Sequence, residues 1–82
     1  MITPAARVLN ELTDLLRDIF VDPDLVVTPA TKAADVRGWD SMKQIEINIA
    51  VEERYGIRLT AREVDSLRSV GDLVDAIVAK SK

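Results

Sequence analysis

Helical spacing of apolar residues is the feature that most constrains how this chain can fold. Near the carboxyl end, apolar residues recur in the series i, i+3, i+4, i+7 and i+8, which places them on one side of an α-helix. They are Val70, Leu73, Val74, Ile77 and Val78. A similar helical series runs through Val8, Leu9, Leu12, Leu15, Leu16, Ile19 and Phe20. No run shows convincing period-two alternation of apolar and polar residues, so the sequence predicts an all-α protein.

Residues that favour helix ends divide the chain into four helical segments. A hydroxyl side chain before an apolar series marks a helix start, more strongly when a proline or glutamate follows at the expected place. The predicted starts are Thr3 with Pro4, Ser41, Thr60 with Glu63, and Ser69. The first helix is expected to end at about Phe20, and the second at about Tyr55, before Gly56. The chain is therefore predicted to form one domain over residues 1–82, an all-α, small four-helix bundle with a long loop between helices 1 and 2 and a short helix 3.

The long loop covers the segment from Val21 to Asp40. Pro23 and Pro29 exclude a continuous helix through it. A loop of this length in so small a domain usually carries function or contains a short helical turn. We expect it to be ordered, because four of its apolar residues can hold it against the core. These are Leu25, Val26, Val27 and Val36.

The composition excludes several classes of function. The 82 residues include no Cys and no His, so thiolate metal ligands, a thiolate nucleophile and the imidazole base of a serine triad are all missing. A self-contained enzyme is therefore not expected. A net charge of −3 provides no basic stripe for nucleic acid, and no segment reaches the roughly 20 apolar residues that span a bilayer. The amino terminus has no leader-like pattern, so a cytoplasmic protein is expected.

The second predicted helix carries apolar residues on two sides. Met42, Ile45 and Ile49 form one stripe along it. A second stripe consists of Ile47, Ala50, Val51 and Tyr55. One stripe can enter the core while the other faces partners.

Ser41, at the start of this helix, has a structural and a chemical explanation. It fits the N-cap of a capping box in which Gln44 is the partner, and this role requires no chemistry. A phosphodiester on the Ser41 hydroxyl would lie at the positive end of the helix dipole, where free N–H groups favour an anion. The long loop ahead of Ser41 and the two-sided helix after it favour the second explanation.

The residues around Ser41 resemble a known family, the acyl carrier proteins. The matching positions in and before the second helix are Gly38, Asp40, Ser41, Ile45, Glu46, Glu52 and Glu53. Further along, the segments 55–59 and 69–73 resemble the end of the family's second helix and the start of its fourth. The resemblance covers nearly the whole chain.

The resemblance implies a freestanding, non-enzymatic carrier. Ser41 would carry 4′-phosphopantetheine, transferred from coenzyme A by a phosphopantetheinyl transferase, and the thiol of this arm would hold a thioester-linked cargo. Other expected partners are an acyl-loading ligase or acyltransferase and synthase or condensing enzymes, and a monomer is expected. The second helix would recognise these enzymes. The implied recognition residues are Asp40, Met42, Lys43, Ile45, Glu46, Ile49, Glu52 and Glu53.

Three positions depart from the family pattern. Met42 replaces the usual Leu, Lys43 places a cation where an acid is common, and Trp39 is bulky. Members of the family that serve general fatty-acid synthesis are usually more acidic. The cations that dilute the acidity here therefore favour a dedicated lipid or secondary-metabolite pathway; they are Lys43, Arg54, Arg58 and Arg62. The Trp39 ring is expected either to pack beside the arm or a partner, or to close the loop over the bundle.

Other functions stay open from the sequence alone. Within the same class, the chain could be an aminoacyl carrier of the D-alanyl or peptidyl type. From another class, it could be an unmodified helical interaction module in which Ser41 only caps its helix. A small DNA-binding helical domain is a third alternative, which would bind duplex DNA in a salt-sensitive manner.

Overall fold

The computed structural model describes residues 2–81 and has helices in the predicted order. Helix α1 spans Pro4–Ile19, α2 spans Ser41–Tyr55, α3 spans Ala61–Ser66 and α4 spans Val70–Lys80. A single turn of 3-10 helix, Ala33–Asp35, lies within the long loop. There is no strand among the described residues. The all-α four-helix prediction is confirmed, including the long first loop and the short α3.

The core is built from the apolar series that the sequence shows. α1 packs against α4 and α2, and the buried side chains of the core come from these three helices and the loops beside them. They are Val8, Leu12, Leu16, Val27, Ile47, Val51, Ile57, Val70, Leu73, Val74 and Ile77. With Ile47 and Val51 in this core, the outward stripe of α2 is left for solvent or partners.

Side-chain caps fix three of the helix starts as predicted. The Thr3 hydroxyl accepts a hydrogen bond from the third residue of α1, and the Ser69 hydroxyl does the same for α4. Thr60 and Glu63 form the predicted capping box at α3, with N···O distances of 3.1 and 3.0 Å. The Thr60 N–H and then the Lys80 ammonium lower the pKa of the Glu63 carboxyl. Gly56 ends α2 in the left-handed conformation, with φ of 62°.

The long loop is only partly held as the sequence predicts. Val27 and Val36 are buried and Leu25 packs against the core, whereas Val26 is 75% exposed. The prediction for Val26 is wrong because neighbouring side chains in a non-helical segment point in different directions, so burying Val27 turns Val26 outward. The Leu25 carbonyl also accepts a hydrogen bond from the Arg17 guanidinium, 2.7 Å away.

The same loop is attached to the start of α4 by backbone hydrogen bonds. The N–H of Val70 donates to the Thr31 carbonyl at 2.8 Å, and the N–H of Gly71 donates to the Pro29 carbonyl at 2.9 Å. A Cβ on Gly71 would lie 2.8 Å from that Pro29 oxygen, so the absence of a side chain permits this close approach.

A polar contact joins α1 to the end of α2. The Tyr55 hydroxyl donates to Glu11 at 2.8 Å, and the Arg54 guanidinium lies 3.9 Å from the same carboxylate. Burial, and then the hydrogen bond to Glu11, raise the pKa of the Tyr55 phenol. These contacts hold the carboxyl-terminal part of α2 in place.

Candidate functional site

Ser41 is the first residue of α2, and the N-cap is Asp40. Asp40 Oδ1 accepts a hydrogen bond from the Lys43 N–H at 2.9 Å, and the Asp40 carbonyl accepts from the Gln44 N–H at 3.0 Å. The predicted capping box with Ser41 as the cap and Gln44 as its partner is therefore wrong. The Gln44 N–H, which a Ser41 cap of this box would bind, donates to the Asp40 backbone carbonyl instead. Ser41 is left without a capping role.

The hydroxyl of Ser41 differs from the other serine hydroxyls of the chain. Ser66 donates to a carbonyl at 2.9 Å, Ser81 donates to another at 2.6 Å, and Ser69 accepts from a backbone N–H at 3.3 Å. The Ser41 side chain is exposed, and within residues 2–81 its hydroxyl makes no hydrogen bond. Among the serines within residues 2–81, it is the one whose hydroxyl is both exposed and free of hydrogen bonds.

The backbone around Ser41 suits an anion. The N–H groups of Ser41 and Met42 have no acceptor among the residues that the structure describes. Both lie in the first turn of a 15-residue helix, where the dipole is positive. A phosphate on the Ser41 hydroxyl would meet these donors, so the residues present fit a serine-linked phosphodiester.

Trp39 fixes the loop that leads to Ser41. Its ring centroid lies 5.7 Å from that of Phe20 at the end of α1, in a tilted arrangement. Its indole N–H donates to Gln44 Oε1 at 2.8 Å, and the Gln44 amide in turn donates to Asn48 Oδ1 at 2.9 Å. The ring therefore closes the loop over the bundle, one of the two predicted roles. The sequence predicts neither the Phe20 nor the Gln44 contact of Trp39, because both depend on how the loop folds back against α1 and α2.

A small cavity lies beneath the Trp39 ring. It measures about 50 Å³, and its lining includes Trp39, Gln44, Leu67, Val70 and Leu73. A single water occupies about 30 Å³ of liquid. The cavity therefore has room for only a water or two, and Ser41 is not among its lining residues.

Lys43 points toward α1. Its ammonium lies 3.4 Å from the Ile19 carbonyl, 3.3 Å from the Glu46 carboxylate and 6.0 Å from the centre of the Phe20 ring. The carboxyl end of a helix attracts a cation, so Lys43 ties the start of α2 to the end of α1. Its role in partner recognition stays a prediction.

The structure brings together most of the predicted recognition face. Met42, Ile45 and Ile49, which we call the α2 stripe, are 68%, 54% and 51% exposed. Glu46 and Glu53 are exposed beside the stripe, and Asp40 is exposed at its amino end. Glu52 is half-buried.

Two other kinds of site are missing from the described part of the chain. Residues 2–81 contain no group of side chains that could hold a metal ion. No described helix is long and apolar enough to cross a membrane.

Comparisons with known proteins agree on one family. Residues 6–77 match the family described as "Phosphopantetheine attachment site". The chain is 33% identical to an acyl carrier protein of Acidothermus cellulolyticus, over 87% of this chain and 84% of the relative. It is 38% identical to acyl carrier protein MbtL of Mycolicibacterium paratuberculosis, over 98% of this chain and 90% of the relative.

A solved structure gives the same result for the fold. The solution NMR structure of a holo acyl carrier protein from Geobacter metallireducens superimposes with a TM-score of 0.85 and is 34% identical. The match covers 89% of this chain and 84% of the solved chain.

Proposed function

Because this chain belongs to the acyl carrier proteins, non-catalytic carriers with a covalently attached phosphopantetheine, we propose that Ser41 is the attachment residue. The observation that carries the proposal is the state of its hydroxyl, which is exposed and free of hydrogen bonds within residues 2–81. Ser41 also lies inside the matched residues 6–77. The other serine hydroxyls already serve a cap or donate to a carbonyl.

Residues at the start of α2 would have different roles in holding the arm. Ser41 would supply the oxygen of the phosphodiester, and the N–H groups of Ser41 and Met42 would be available to its negative charge. The Asp40 carboxylate already accepts a hydrogen bond from the Lys43 N–H, so it keeps the helix start formed beside the phosphate. The chain has no Cys and therefore no thiol of its own. The arm would supply the thiol, which carries an acyl group as a thioester.

The expected partners include a phosphopantetheinyl transferase, an acyl-loading ligase or acyltransferase, and synthase or condensing enzymes. The exposed α2 stripe, with Glu46 and Glu53 beside it, supports brief docking of such enzymes. Rim charges of this kind raise association rates more than affinity, which suits a carrier that must leave each enzyme. Monomeric state and cytoplasmic location stay predictions.

We propose a dedicated lipid or secondary-metabolite pathway. Two relatives that support this proposal are named as specific carriers. They are acyl carrier protein MbtL, at 38% identity, and a meromycolate extension acyl carrier protein of Mycolicibacterium smegmatis, at 26% identity. The aminoacyl alternative predicts that an aminoacyl-loading ligase, and not an acyl-loading ligase, charges the arm. An acyl-loading ligase and an aminoacyl-loading ligase, each assayed with the holo chain, distinguish the two.

Mass spectrometry tests the attachment. The purified chain is incubated with coenzyme A and a broad-specificity phosphopantetheinyl transferase, beside Ser41→Ala. We expect the wild type to gain the mass of one phosphopantetheine and the variant to gain none. A folded wild type that gains no mass from an active transferase would contradict the proposal and favour the unmodified interaction module.

A further inference from the structure

Two amide side chains continue from the Trp39 ring along one side of α2. Gln44 and Asn48 are one helical turn apart, and both are half-buried. The Gln44 amide nitrogen donates to Asn48 Oδ1 at 2.9 Å, which turns the Gln44 amide oxygen toward the indole N–H, 2.8 Å away. An amide that is withdrawn from water without a hydrogen-bond partner is destabilising, so these two bonds allow the amides to lie inside.

The cavity beneath the ring has both polar and apolar walls. Trp39 and Gln44 line it together with Val70 and Leu73, which are buried in the core. Its volume of about 50 Å³ is far less than an alkyl chain of several carbons needs. Such a chain can therefore enter only if one of the walls moves.

Two of these walls are held in place. The Trp39 ring packs on Phe20, with 5.7 Å between ring centroids, and its N–H is bonded to Gln44. At the start of α4, the N–H of Val70 donates to the Thr31 carbonyl at 2.8 Å. Moving either wall breaks a hydrogen bond, and a methylene group supplies no replacement for it.

Leu67, which follows α3, forms a third wall and is half-buried. An alkyl chain that entered by displacing Leu67 would still lie against the Gln44 amide. The methylenes would exclude water from this amide and offer it no hydrogen bond. Whichever wall opens, the polar wall opposes an alkyl chain.

We propose that Trp39, Gln44 and Asn48 keep alkyl chains out of the helix bundle, so that the arm presents its cargo to solvent whatever the length of the cargo. This inference rests on the proposed carrier function and names the class of cargo that suits it, a short or polar acyl group. A long alkyl chain left in water is unfavourable in proportion to its exposed area, whereas a short or polar group exposes little apolar surface.

A series of cargoes of increasing chain length tests the proposal. The transferase loads the full chain with acetyl-, octanoyl- or dodecanoyl-phosphopantetheine from the corresponding acyl-coenzyme A, and intact mass identifies each product. Cleavage by hydroxylamine measures how accessible the thioester is, and thermal unfolding measures whether the cargo stabilises the fold. For the wild type we expect cleavage rates within about twofold of one another and unfolding midpoints within about 2 °C.

The Trp39 indole provides a third measurement, inside the site itself. Trp39 is the single Trp of the chain, so its N–H gives one indole signal in a ¹⁵N-labelled sample. The hydrogen bond to Gln44 should keep this signal at the same position in all three loaded forms. A shift that grows with chain length would show that the cargo reaches the ring and would contradict the proposal.

Substitutions that remove the amides should admit the alkyl chain. Gln44→Met with Asn48→Leu keeps nearly the same volume and removes the hydrogen-bonding groups. In this double variant, dodecanoyl should raise the unfolding midpoint by at least about 4 °C over acetyl and slow cleavage at least about threefold. Trp39→Phe, which keeps an aromatic ring beside Phe20 but lacks the N–H, should change both measurements in the same direction. Asn10→Leu, a matched substitution at an exposed position of α1, should behave as the wild type.

Three results would overturn the proposal. They are a wild type that protects the dodecanoyl thioester more than the acetyl thioester, a double variant that shows no dependence on chain length, and an Asn10→Leu variant that matches the double variant. If the double variant does not fold, Trp39→Phe decides in its place. A loaded chain that gives any of these results refutes the exclusion of alkyl cargo alone, whereas a folded chain that is never loaded on Ser41 refutes the carrier function.

Discussion

The first turns of α2 and α4 begin alike and differ in what covers them. Each helix has an N-cap side-chain oxygen that accepts a hydrogen bond from the third residue of the helix. In α4 the first two N–H groups, those of Val70 and Gly71, donate to carbonyls of the long loop. In α2 the equivalent N–H groups, those of Ser41 and Met42, have no acceptor within residues 2–81. The long loop thus closes one helix start and leaves the other open.

A capping residue alone does not reveal whether a helix start is available for chemistry. Ser69 is itself the cap of α4, and its hydroxyl oxygen accepts a backbone hydrogen bond. Ser41 follows its cap by one residue, so Asp40 takes the structural role and frees the hydroxyl. The difference is one position in sequence, and it separates a serine that caps its helix from one whose hydroxyl is free for the proposed attachment.

The largest expected effect on stability comes from disturbing the start of α4, which the long loop covers. Gly71→Ala would place a Cβ 2.8 Å from the Pro29 oxygen, so either the loop or α4 must shift. We expect a loss of about 1–3 kcal/mol in the free energy of unfolding, as for other overpacked sites. Urea unfolding followed by Trp39 fluorescence measures this loss. Unchanged stability would show that the loop is not held tightly against α4.

Removing the two caps tests whether they are equivalent in stability. Asp40→Ala and Ser69→Ala should each cost about 0.5–2 kcal/mol, because each removes a side-chain acceptor for an N–H of the first turn. Thermal and urea unfolding of both variants provide the measurement. A neutral Asp40→Ala would contradict the assignment of Asp40 as the cap.

Attachment of phosphopantetheine should stabilise the start of α2, which the long loop leaves uncovered. A phosphodiester at the beginning of α2 is expected to add about 0.3–1 kcal/mol at low ionic strength, and salt should reduce the gain. The comparison is between the loaded and unloaded chain across a salt series. Equal stability of the two forms at low salt would mean that the phosphate does not meet the N–H groups of Ser41 and Met42.

The smallest effect is expected for Ser41→Ala in the unloaded chain. The hydroxyl makes no contact that folding requires, so the free energy of unfolding should change by less than about 0.5 kcal/mol. Ser69→Ala, which removes a cap, is the matched serine control. A loss at Ser41 as large as that at Ser69 would indicate a structural role that the geometry does not show.

Much of the fold could be predicted because it depends on local pattern. The spacing of Ile47 and Val51 against that of Ile45 and Ile49 separates the buried and exposed sides of α2. Gly56 marks the helix end through its backbone conformation. Each signal lies within one helix and requires no knowledge of its neighbours.

The parts that were missed depend on contacts between distant segments or on a shift of one residue. Asp40 and Ser41 are both good caps, and only the backbone shows which one the helix uses. Lys43 points toward α1 because the Ile19 carbonyl and the Phe20 ring lie beside it. Glu52 is half-buried, and its carboxylate accepts a hydrogen bond from the Leu59 N–H at 2.9 Å, a contact that no periodic pattern of residues predicts.

Mapping the position of the arm tests the central claim most directly. The loaded chain is digested, and tandem mass spectrometry locates the phosphopantetheine among the peptides that contain Ser41, Ser66, Ser69 and Ser81. We predict that the arm is found on Ser41 alone. An arm on any other serine, or an unmodified Ser41 in a chain that has gained the arm's mass, would contradict the account.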